Sequence, residues 1–138
     1  MNVRRITIAT LITMAFSTSI AVASDDLALD VLKKIDVSSF RSSLGPKHYP
    51  KGTALEKTEF TLFSTTPDTT GAYYTTDQAH SFKYSVSIIN KNQNSIDICF
   101  GDYALMGTAK SNTPLRVEKN KHGMYEVKQE LAESDHCN

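Results

Sequence analysis

Cys99 and Cys137 are the only thiols in the chain, and His48, His80, His122 and His136 are its only imidazoles. A redox or nucleophilic thiol is marked by a C-x-x-C partner three positions away or an activating base beside it, and neither Cys has one. A zinc centre needs four protein ligands, or three and a water. Two Cys cannot make a four-Cys site, and the histidines are too scattered for two to share one helix face. The tail Asp135-His136-Cys137 places ligand types side by side, a spacing that rarely closes a site. The nucleophile-elbow, H-E-x-x-H, P-loop and dinucleotide-glycine patterns are all missing. Glu56 and Glu59 could in principle act as a glycosidase-like acid/base pair, but on so polar a segment they read as solvated carboxylates. The expectation is a non-enzymatic protein without metal or cofactor.

Recognition chemistry is denser. Arg41, Lys47 and Lys51 supply charge-assisted donors, Ser42 and Ser43 hydroxyls, His48 a switchable donor and Tyr49 an amphipathic ring. Tyr and Arg are common interface anchors. Pro46 and Pro50 restrict the segment and lower the entropic cost of ordering it on a partner. Tyr73 and Tyr74 form a second candidate, because adjacent strand residues face opposite ways and one ring must point outward.

The elements that must position these groups begin after a leader. Arg4 and Arg5 precede an apolar run, Ile6 to Phe16, interrupted by Thr7, Thr10 and Thr13, and Ala21-Val22-Ala23 follows. This order is that of a cleavable signal peptide, whereas a membrane anchor needs ~20 mostly apolar residues. The division is therefore a signal peptide over 1–23 and a single mature β-rich domain over 24–138. No lipid-attachment Cys follows the cleavage site, so the mature protein is expected to be periplasmic and free of the membrane. Fifteen Lys+Arg balance fifteen Asp+Glu in the whole chain, and cleavage removes two Arg, leaving a slightly acidic protein. That balance argues against nucleic acid as a partner and offers little self-repulsion against a homodimer. Export also favours a Cys99–Cys137 disulfide.

In the mature chain, Leu27, Val31 and Ile35, widened by Ala28 and Leu32, mark an amphipathic helix of about ten residues. Ser24-Asp25-Asp26 offers its N-cap and an acidic first turn. Residues 38–57 read as a long structured loop. Strand signals then dominate: Glu59–Phe63, Ala72–Thr76, and Phe82, Tyr84, Val86 and Ile88 in strict alternation. Asn90–Asn94 turns the chain into Ile96, Ile98 and Phe100. Gly101-Asp102 reads as a break, with Tyr103–Met106 as a separate short strand. Pro114 starts another, which Lys119–Gly123 turns into Met124–Gln129. Cys99 has the opposite phase to Ile98 and Phe100, so its disulfide should fasten the tail across the outer face of that strand. The fold class is mainly β: an antiparallel β-sandwich or small barrel with a short N-terminal helix and one disulfide.

The loop Ser39-Phe40-Arg41-Ser42-Ser43-Leu44, the run Ile98-Cys99-Phe100-Gly101-Asp102-Tyr103-Ala104-Leu105-Met106-Gly107 and the terminal Cys137 resemble small periplasmic β proteins that inhibit lysozyme-type enzymes. That group includes lysozyme inhibitors and the immunity proteins paired with secreted cell-wall-hydrolase effectors. The resemblance covers about half the mature chain as scattered motifs and implies an inhibitor whose partner is a cell-wall hydrolase or secreted effector. It transfers no individual functional residue. The alternatives from other classes are a small-ligand-binding or sensor domain, a subunit of an exported assembly, and a hydrolase with a convergent site.

Overall fold

The computed structural model describes residues 24–41, 49–133 and 135–137. The leader, loop positions 42–48 and the side chains of the Ser24-Asp25-Asp26 cap lie outside them. Helix α1 spans Ser24–Lys34 and ends on Lys33 and Lys34, cations that complement its carboxyl end. Six strands follow: β1 Phe60–Thr65, β2 Tyr73–Asp77, β3 Phe82–Lys91, β4 Ile96–Ala104, β5 Lys110–Lys119 and β6 Tyr125–Glu130. All belong to one sheet whose order is the sequence order, and every neighbouring pair is antiparallel. Short turns suffice for such pairs, whereas parallel pairs need long crossovers. The expected mainly β, antiparallel architecture with its N-terminal helix and disulfide is thus the one observed.

Alternation assigns the faces. Tyr84 and Val86 of β3, Ile96, Ile98 and Phe100 of β4, Leu115 and Val117 of β5, and Tyr125 and Val127 of β6 all point into one core. α1 covers that face with Ala28, Val31 and Leu32, and Ile35 just after it completes the stripe, each fully buried. Their i, i+3, i+4, i+7 spacing is what makes a short helix stable here, because it gains from packing rather than from propensity. Beyond α1 the chain continues the hydrogen bonding of the sheet. Ile35 bridges Tyr125 at the start of β6, and Asp36 bridges Ala54. Asp36 N–H donates to the Tyr125 carbonyl at 2.8 Å, and Leu55 N–H donates to the Ile35 carbonyl at 3.0 Å. The β6 edge is thereby extended toward the stretch that leads into β1.

Two boundaries depart from expectation. β4 runs unbroken through Gly101 and Asp102 to Ala104. Gly101 does not break the strand, because its lack of a side chain makes room for its neighbours. A Cβ placed there would fall 2.5 Å from Cε2 of Tyr103 and closer still to Oγ of Ser85. β5 starts at Lys110, well before Pro114. The Pro114 carbonyl accepts from Leu131 N–H at 2.8 Å, so this residue turns its bonding groups away from β4. Its missing N–H therefore falls outside the β4–β5 ladder, on the side where β6 has already ended at Glu130.

The disulfide joins Cys99 to Cys137 with Cα atoms 5.2 Å apart. Cys99 lies between inward-facing Ile98 and Phe100, so the bond sits on the outer face, where the tail is drawn across β4 and β5.

Candidate functional site

Two aromatic residues, Phe40 and Tyr49, stand on either side of loop positions 42–48 in the chain. Phe40 packs on Phe100 with ring centroids 4.8 Å apart. Phe100 stacks on Tyr84 at 5.7 Å, and Tyr84 meets Phe60 edge-on at 4.5 Å. Tyr49, where the chain returns, is half-buried against the same core, and its hydroxyl donates to Glu59 Oε2 at 2.6 Å. Burial, followed by this hydrogen bond and the charge of Glu59, raises the Tyr49 pKa, so the phenol stays protonated. Arg41 is exposed at the mouth of the loop. Ser42, Ser43, Lys47 and His48 lie outside the described residues.

Tyr73 and Tyr74 are separated by the pleat. Tyr73 pairs with Val86 and packs on the core. Tyr74 faces outward, with Lys83 Nζ 5.7 Å from its ring centroid. The same ammonium stands 4.7 Å from the centroid of Tyr103, whose hydroxyl is hydrogen-bonded to Asn112 on β5. Tyr74, Lys83 and Tyr103 therefore form an ordered cation–aromatic stripe across β2, β3 and β4. Sequence reasoning missed it by treating Gly101-Asp102 as the end of a strand, although the odd-numbered phase of Lys83 and Tyr103 carried the signal.

A second missed feature is a groove of about 480 Å³ between the end of the long loop and the β5–β6 turn. Lys34, Lys57, Lys119 and His122 line it together with Glu56. Gly52 and Gly123, with φ of 77° and 80°, make the tight turns on its two sides. Lys34 is paired with Asp30, and Lys119 lies 3.6 Å from the same carboxylate. Lys57 has no such ion pair among the described residues. The basic turn Lys119–His122 was legible in the sequence, but its position beside Lys57 was not. Chemically, the groove offers ammonium groups to carboxylates.

A larger cleft of about 830 Å³ lies between α1 and the β3–β4 turn, with Leu27, Asp30, Asn92, Ile96, Lys119 and Tyr125 among its walls. Burial alone would raise the Asp30 carboxyl. Hydrogen bonds from Lys34 and Tyr125, with the charges of Lys34 and Lys119, outweigh that and hold it below the usual carboxylate value. Among the described residues no group of three or more His, Cys, Asp or Glu could hold a metal ion, and no helix is long and apolar enough to cross a membrane. No family model matches the chain, and neither a curated protein nor a solved structure shows significant similarity to it.

Proposed function

We propose that this chain is an exported periplasmic protein that binds and inhibits a peptidoglycan-degrading, lysozyme-like enzyme without catalysing a reaction itself, in the manner of an immunity protein. The observation that carries the reading is the convergence of two sequence-distant basic segments on one groove. Lys57 at the end of the long loop, Lys119 at the end of β5 and His122 of the β5–β6 turn line it, together with Lys34 and Glu56. Muramidases hold paired carboxylates in an open cleft, and such a cleft is the electrostatic complement of this surface. The anchoring of the 41–48 loop by Phe40 and Tyr49 adds support, since a loop fixed at both ends loses less entropy on binding.

The test is inhibition of cell-wall lysis by muramidases, including hydrolases encoded beside this gene. Inhibition at micromolar concentration or below is expected. The double charge reversal Lys57→Glu/Lys119→Glu should weaken it by at least about tenfold, as should Arg41→Glu if the loop shares the contact. Absence of any inhibition or complex at micromolar concentration would refute the reading. A small-ligand-binding role is the second reading, favoured by the open cleft between α1 and the β3–β4 turn. Ligand-induced chemical shifts confined to Asn92, Ile96 and Tyr125 would support it over the first.

A further inference from the structure

The two edges of the sheet are defended unequally. β6 places Glu126, Lys128 and Glu130 along its length, and the Ile35–Tyr125 bridge covers its start. β1 reads Phe60-Thr61-Leu62-Phe63-Ser64-Thr65, with neither a charge nor a proline. Charges, prolines and bulges are the usual devices that stop an edge from accepting another strand. The one irregularity of β1 lies between Phe60 and Leu62, so the stretch from Leu62 onward is regular. Leu62 is 43% exposed.

The direction of the free backbone groups follows from the register. Thr66 N–H donates to the Ala72 carbonyl at 2.9 Å. Alternation then turns Ser64 and Leu62, opposite Tyr74 and Thr76, toward β2 as well. Phe63 and Thr65 point their N–H and C=O groups the other way, where none of the described residues bonds to them.

We propose that β1 is a homodimerisation edge to which a second copy of this chain adds its own β1 antiparallel, joining two sheets into one. The occupant is a second copy because the edge is self-complementary. Antiparallel pairing about a two-fold axis satisfies the outward backbone groups of both strands with one isologous contact. The strand carries no charge of its own, the one cation recorded against it being the Lys33 ammonium of α1, 5.5 Å from the Phe63 ring centroid, and the near-zero net charge of the chain adds little repulsion between copies. The contact is one strand wide, so it belongs to the small, weak class of interfaces, with a Kd on the order of micromolar.

Sedimentation of the purified oxidised protein over a concentration series tests this, together with hydrogen exchange at the two ends of that series. The expected result is a monomer–dimer equilibrium in which the Phe63 and Thr65 amides exchange more slowly in the concentrated sample. Thr65→Pro removes an outward donor and leaves the β1–β2 bonds in place, so it should raise the dimer Kd by at least about tenfold. Leu62→Lys leaves the backbone untouched and should act in the same direction. A monomer at every concentration overturns the proposal. So does a dimer insensitive to both substitutions, or one whose exchange protection appears along β6 instead of β1.

Discussion

Gly101 shows most directly how a single residue sets the local surface. Its missing side chain lets the Tyr103 ring fold back over the strand, with its hydroxyl on Asn112 and Lys83 at its face. An added methyl would have to displace the ring, the Ser85 hydroxyl or the strand itself. Gly101→Ala should therefore cost about 1–3 kcal/mol of stability, read as a lower urea midpoint with unchanged slope. The ring should also leave Lys83, visible as loss of the ring-current shift on the lysine ε-protons. A stable variant with Tyr103 still in place would show that the crowding is relieved elsewhere. The candidate binding residues teach a related lesson. Tyr49 and Tyr73 have the composition of interface anchors, yet both rings pack on the core. Of the sequence-derived candidates that are described, Arg41 and Lys51 are exposed and Tyr74 projects outward. Residue type indicated what these side chains can do, and burial decided which can do it for a partner.

At the scale of elements, α1 and β6 are joined by more than apolar packing. The Tyr125 hydroxyl donates to Asp30 at 2.7 Å, and Lys34 and Lys119 hold the same carboxylate. Because the folded Asp30 pKa lies below the ordinary carboxylate value, its ionised form contributes stability that is fully present above that ordinary value. The contribution is lost as pH falls through the folded pKa. Tyr125→Phe keeps the ring in the core and removes one of these donors. It should lower stability by about 1 kcal/mol at neutral pH, and the difference from wild type should shrink as pH falls to about 2. Urea midpoints measured at both ends of that range check this, and a pH-independent difference would assign the loss to packing alone. The elements were largely legible in the sequence, since helical and twofold periodicities report one face each. The misread points, the Gly101-Asp102 break and the late start of β5, are residues with poor strand propensity that neighbouring strands accommodate.

For the whole molecule, the disulfide ties the tail to the middle of the sheet across 38 positions of chain. Loop-closure entropy gives it a stabilisation of about 4 kcal/mol, large beside the ~5–15 kcal/mol of a typical domain. Denaturation with and without reductant should reveal a loss of that order. Equal midpoints would mean that the reduced chain retains the loop by other contacts. Composition, periodicity and Cys count determined on their own the β-rich class, the N-terminal helix, the outward phase of Cys99 and its bond to Cys137. All of these depend on interactions between residues close in sequence, or on there being a single pair to join. Only the tertiary structure decided that the six strands follow one another in a single sheet. It alone also brought Lys57 beside Lys119 and His122, laid Tyr103 against Lys83, and left β1 as the undefended edge. Each of these is a juxtaposition of segments far apart along the chain. Such pairs are set by packing and strand order, which leave no periodic trace in the residues they bring together.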